Sequence, residues 1–170
     1  MAIADKYSVH GKPIDGYAVG LSYDSGHWFA MGEWGHTTME TFLGQKIGWY
    51  AGGGYRFGAF TPYLTYAQVD FGARGNSDPG LTLTGLPPAM VGFGAGLNAG
   101  LNSLLQKSRP KQNTLSMGAR WDFAKNFDVK LQVDHMRPGA TSFGTLINIQ
   151  PGLRPGSTVN LLSVSVDFLF

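Results

Sequence analysis

The sequence predicts an all-β protein, an antiparallel transmembrane β-barrel, on three observations. The first is the C-terminal run Thr158–Phe170. Counting back from Phe170 in steps of two meets Phe168, Val166, Val164 and Leu162, while Asp167, Ser165 and Ser163 fall between them. Side chains on a strand alternate between faces, so this run has one apolar face and one largely polar face. The second is composition: 25 Gly and 13% aromatic residues against only 14% charged. A soluble surface this poor in charge is sticky, and each Gly in a helix interior costs roughly 1 kcal/mol relative to Ala. The third is a strict alternation of short turns with long loops, the asymmetry of outer-membrane barrels.

Residues 14–71 read as four strands. Gly16–Asp24 places Tyr17, Val19, Leu21 and Tyr23 outward against Ala18, Gly20, Ser22 and Asp24, and Ser25-Gly26 forms a tight hairpin turn. Trp28–Thr37 returns with Trp28, Ala30, Gly32 and Trp34 outward. Glu33 is assigned inward, because a charge facing mid-bilayer lipid costs a few kcal/mol. Gln45–Phe57 sets Ile47, Trp49, Ala51, Gly53, Tyr55 and Phe57 outward and Lys46, Gly48, Tyr50, Gly52, Gly54 and Arg56 inward. Phe60–Phe71 is read with Tyr63, Thr65, Ala67, Val69 and Phe71 outward and Tyr66, Gln68 and Asp70 inward. Pro62 lies near its start, where a missing N–H is tolerated.

Residues 72–113 form a long loop. Within it, Pro88–Lys107 predicts a short helix with Pro at its start and Leu97, Leu101, Leu104 and Leu105 on one side. Residues 114–170 hold three more strands. Thr114–Phe123 alternates Leu115, Met117, Ala119, Trp121 and Phe123 with Ser116, Gly118, Arg120 and Asp122. Phe127–Met136 opposes Phe127, Val129, Leu131 and Val133 to Asp128, Lys130, Gln132 and Asp134. The terminal strand follows a loop at 137–157. Most strands are near the 9–11 residues a tilted crossing needs. Ile3–His10 is a weak candidate for an eighth strand, and an odd count of seven implies a piece of a larger barrel.

Other classes are disfavoured. A net charge of +2 is too small for a nucleic-acid binder, and the absence of Cys removes disulfides and thiolate chemistry. No run of 18 apolar residues predicts a transmembrane helix. Met1–Lys6 contains no apolar signal region, which points to a removed signal or a longer parent chain. His10, His27, His36 and His135 share no metal-ligand spacing. No G-x-S-x-G supports a serine hydrolase. Gly94-Ala-Gly-Leu-Asn-Ala99 matches a dinucleotide fingerprint but lacks the surrounding βαβ unit. No catalytic residue, cofactor or metal is predicted.

Five stretches carry a family resemblance. Gly48-Trp-Tyr-Ala-Gly-Gly-Gly-Tyr-Arg-Phe-Gly58 with Phe60-Thr-Pro-Tyr-Leu-Thr-Tyr66 resembles a hairpin in the C-terminal half of Gram-negative porins. Thr114–Phe123, Lys130–Asp134 and Val159–Phe168 are similar to later strands of the same porins. The resemblance spans about Asp15 to Phe170. It implies the C-terminal half of a 16-stranded general-diffusion barrel in the outer membrane of a Gram-negative bacterium, passing small hydrophilic solutes or ions passively. It also implies a homotrimer, and insertion by barrel-assembly machinery that engages the C-terminal strand.

Within that reading the inward charges Glu33, Lys46, Arg56, Arg120, Asp122, Lys130 and Asp134 are the candidate pore-lining residues, since charge in a water-filled pore tunes ion preference. Two alternatives remain. One is a small closed outer-membrane barrel with a structural or adhesive role, in which these charges neutralise one another. The other is a soluble ligand-binding β-barrel, against which stand the outward Trp49, Tyr55, Leu131, Val133, Val164 and Val166, penalised by water at ~25 cal/mol per Å².

Overall fold

The structure, a computed structural model, describes residues 5, 7–41, 44–72, 78–107 and 109–169 of the 170-residue chain. Seven strands form one antiparallel sheet in sequence order: β1 (Ile14–Asp24), β2 (Trp28–Met39), β3 (Gln45–Tyr55), β4 (Phe60–Phe71), β5 (Gln112–Ala124), β6 (Phe127–Pro138) and β7 (Val159–Phe168). A 20-residue helix, α1 (Pro88–Lys107), lies in the β4–β5 connection. The sheet is open, with β1 and β7 as its two edges. Several strands run one to three residues beyond the limits set by alternation, because the ladder continues past the last alternating pair. Ile14, for example, still pairs with Met39. β3 is shorter, ending at Tyr55: beyond it only the Arg56 N–H still donates to the His27 carbonyl, at 2.8 Å, before Phe57 turns to pair with Phe60.

Residues opposite one another in an antiparallel register share a face. Applied across the sheet, the pairing gives two continuous faces of opposite character. On the apolar face, Val19, Trp34 and Trp49 are successive partners across β1–β3, and Val133 joins Met117 to Leu162 across β5–β7. On the polar face, Gly20, Glu33 and Tyr50 are aligned, as are Arg120, Lys130 and Ser165.

β4 is a correction. Its register pairs Tyr66 with Ala51 and Leu115, and pairs Tyr63 with Gly54 and Gly118. Tyr66, Gln68 and Asp70 therefore lie on the apolar face, while Tyr63, Thr65, Ala67, Val69 and Phe71 lie on the polar one. Alternation misleads here because both sets mix apolar and polar residues, and neighbouring strands decide. Glycines opposite make the observed side workable. A Cβ at Gly118 would lie 2.5 Å from the Tyr63 ring, and one at Gly52 would lie 2.5 Å from the Thr65 hydroxyl.

The tight turns fall at one end of the sheet. Gly26 (φ 86°), Gly58 (φ 61°) and Asn126 (φ 67°) supply the left-handed backbone that short turns demand. The Gly26 N–H also donates to the Asp24 carboxylate at 2.8 Å. Longer connections occupy the opposite end. Of the stretch Ile3–His10, residues 3, 4 and 6 lie outside the described residues, and Asp5 and Tyr7 are helical rather than extended.

Among the described residues, the backbone of α1 makes no close approach to any of the seven strands. It is held by its own loop. Asn98 accepts the Leu81 N–H at 2.7 Å and donates to the Leu81 carbonyl at 2.9 Å, and Asn102 makes the same pair of bonds to Asp78, both at 3.0 Å. The leucines do not form one packed side: Leu105 is buried at 2% exposure, whereas Leu97 and Leu104 are exposed. Leu105 and Pro138 are the buried apolar side chains among the described residues. Buried Ser142 and Gln112 then stitch the β6–β7 loop to the start of β5. Ser142 Oγ donates to the Arg109 carbonyl at 3.0 Å, and Gln112 Oε1 accepts the Thr145 N–H at 3.0 Å.

Candidate functional site

All seven sequence-predicted candidates lie on the polar face: Glu33 on β2, Lys46 on β3, Arg56 in the β3–β4 turn, Arg120 and Asp122 on β5, Lys130 and Asp134 on β6. Strand pairing gathers five of them into two ion-paired groups and one hydrogen-bonded one. It leaves two apart.

At the turn end, Arg56 forms a two-pronged pair with Asp24, both nitrogen–oxygen distances being 2.7 Å. The geometry matches a guanidinium fork on a carboxylate, and hydrogen bonding to Asp24 raises the Arg56 pKa above its ordinary value. The same guanidinium lies 5.2 Å from the centre of the Phe29 ring, a cation–π contact. Phe29 in turn covers Gly54, where a Cβ would lie 2.7 Å from the ring.

Arg120 and Lys130 are cross-strand neighbours of like charge, an arrangement that destabilises a sheet unless it is compensated. Carboxylates supply the compensation. Arg120 reaches Asp122 at 2.5 Å and Asp128 at 3.0 Å, and Lys130 reaches Asp167 at 2.8 Å. Further along the same strands, Asp134 accepts hydrogen bonds from the Ser116 hydroxyl and from Gln132 Nε2, while the Tyr63 hydroxyl donates to Gln132 Oε1 at 2.9 Å. Asp134 is buried by these neighbours.

Asp24, Asp128 and Asp167 were not among the candidates. Their inward position in the alternation was the signal that could have found them. A concavity of about 700 Å³ opens over this end of the polar face, bordered by Asp24, Phe29, Arg56, Tyr63, Arg120 and Lys130.

Glu33 and Lys46 are different. Each lies on the polar face without a hydrogen-bond or ion-pair partner among the described residues. No three His, Asp or Glu side chains among the described residues converge to hold a metal ion. Gly94–Ala99 lie in the interior of α1, where backbone N–H groups serve the helix and not a phosphate.

The opposite face is layered. At the turn end, aromatic rings pack against one another: Tyr23 with Trp28 (centroids 4.9 Å) and Tyr55 with Phe57 (4.6 Å), both tilted, and Phe127 stacked on Phe168 (6.1 Å). A second aromatic row crosses β1–β4, with Tyr17–Trp34 and Trp49–Tyr66 both at 5.5 Å. Beyond it comes a polar rim. There Asp70 pairs with Lys111 at 3.1 Å, and His135 meets Asn160 at 2.7 Å. Between rim and turn end the face carries no charge, and its aliphatic side chains stand free: Leu21 is 81% exposed, Val19 70% and Val164 64%.

No known protein family matches the chain, and no curated protein is similar to it.

Proposed function

We propose that this chain is part of the wall of an outer-membrane porin, through whose water-filled interior small hydrophilic solutes and ions diffuse without a catalytic step or cofactor. The observation that carries this reading is the layered apolar face. From Phe60 to Gln68, and from Phe127 to His135, is eight residues. At ~3.3 Å per residue and a tilt of ~40°, that span rises roughly 20 Å, close to the ~25 Å lipid-facing band of such barrels. Removing one Val or Leu side chain from water contributes about 1.5–3 kcal/mol. A dozen left in water forfeit more than the ~5–15 kcal/mol that stabilises a whole domain. Lipid resolves that deficit. The two free edges require partner strands, since unpaired backbone groups are not tolerated in hydrocarbon, and further strands of a 16-stranded barrel satisfy this.

The same free aliphatic side chains weigh against a soluble ligand-binding barrel, which would place them on its wet exterior. A homotrimer, outer-membrane location and delivery by barrel-assembly machinery follow from the porin reading and stand with it. The test is two measurements on the protein extracted from the membrane that houses it. It is expected to partition into detergent and, in planar bilayers, to open ohmic channels in KCl. Partition into buffer would overturn the membrane reading. Detergent solubility with electrical silence would instead favour a closed structural or adhesive barrel.

A further inference from the structure

The paired and unpaired charges of the polar face divide by position. The polar-face candidates Arg56, Arg120 and Lys130 near the turn end are each matched by a carboxylate, and Asp134 is held by Ser116 and Gln132. Glu33 and Lys46 alone among the seven candidates are unmatched, and they border the same cup, of about 340 Å³, together with Gly35, Gly48, Tyr50 and Ala67. Its floor is bare. Gly35 and Gly48 are direct register partners. A Cβ at either would meet nothing closer than 3.6 Å, so the space is open rather than filled by a neighbour. Lys46 lies opposite Thr37, four residues along β2 from Glu33, roughly 13 Å between backbones at ~3.3 Å per residue. That separation keeps the two charges from pairing with one another, and no ion pair joins them.

A carboxylate and an ammonium, held apart over a glycine floor, complement a solute whose own ammonium and carboxylate are a few bonds apart. We propose that Glu33 and Lys46 form a binding station for small zwitterions of the amino-acid type. The solute's ammonium meets Glu33, its carboxylate meets Lys46, and its carbon chain lies over Gly35 and Gly48. This inference rests on the porin reading, because the cup is reached from the water-filled side.

The test is single-channel recording of the membrane-extracted protein in KCl with β-alanine added, using propionate and ethylammonium as single-charge controls. β-Alanine is expected to reduce conductance saturably, and the controls are not. Glu33→Gln and Lys46→Met each remove one charge-assisted contact and weaken the block about tenfold or more. The double exchange Glu33→Lys with Lys46→Glu restores it, because a zwitterion can bind reversed; a merely structural role for these residues would not produce that rescue. Linear, unsaturable attenuation, or a block indifferent to the substitutions, overturns the station while leaving the pore intact. An absence of channels overturns both.

Discussion

The two ends of the sheet in sequence solve the same problem differently. In the β5–β7 wall the polar face is crowded and closed upon itself: Arg120 and Lys130 are saturated by Asp122, Asp128 and Asp167, and Asp134 by Ser116 and Gln132. In the β1–β3 wall the same face is thinly furnished, with Gly20, Gly35 and Gly48 around Glu33 and Lys46. The lesson is that charge on a hydrated face serves two ends. Where carboxylates surround a cation, the charge holds strands together and is hidden from solutes. Where glycines surround it, the charge stabilises nothing and, on the porin reading proposed above, stays open to solutes.

The largest effect is expected from crossing between faces within one wall. Val164→Lys puts a cation into the uncharged band and is expected to cost about 2–4 kcal/mol in denaturant unfolding of the vesicle-embedded protein. Ser163→Lys, one residue back, lies on the polar face opposite neutral Gln132 and is expected to cost under ~0.5 kcal/mol. Equal losses would mean that neither face meets lipid. Next come glycines of the two walls. Gly118→Ala drives a methyl into the Tyr63 ring and to 2.8 Å from the Leu131 carbonyl, a clash worth roughly 1–3 kcal/mol. Gly48→Ala, with 3.6 Å to its nearest neighbour, is expected to stay within ~0.5 kcal/mol; similar values would erase the contrast in crowding.

A smaller effect separates the cations. Arg120→Met strands Asp128, whose Oδ1 is already buried without a hydrogen bond. Because Arg120 is itself 45% exposed, the loss is discounted to about 1–2 kcal/mol. Lys46→Met is expected to leave the unfolding midpoint unmoved. The smallest effect is confined to the helix loop. Asn98→Ala removes two backbone-directed hydrogen bonds and Asn102→Ala three, worth about 1 kcal/mol each. The Leu81 or Asp78 amide should then exchange faster with solvent, while amides of β5 and β6 keep their protection.

Much of this architecture was legible before any coordinates. Seven strands, their turns and the helix boundaries follow from period-two alternation punctuated by Gly and Asn, and from Pro88 opening an apolar run. β4 was not legible from its own residues. Tyr63-Thr65-Ala67 and Leu64-Tyr66-Gln68 are nearly matched in hydropathy, and the choice is made by glycines on two other strands, one of them 55 residues downstream of Tyr63. The polar-face candidates were legible by parity alone. Which of them are neutralised depends on register, since Asp24 meets Arg56, and Lys130 meets Asp167, only after hairpins and a long loop have brought them together.

The double amide clasp of Asn98 and Asn102 has a practical consequence. The clasp ties α1 to residues 78–81, and the Tyr7 hydroxyl in turn donates to the Asp78 carboxylate, so the helix loop is braced from the N-terminal segment as well as from within. Inserting a foreign peptide or a fluorescent reporter at 82–86, outside both the helix and the clasped residues, should leave the ladder undisturbed, which makes this stretch the natural place to carry cargo.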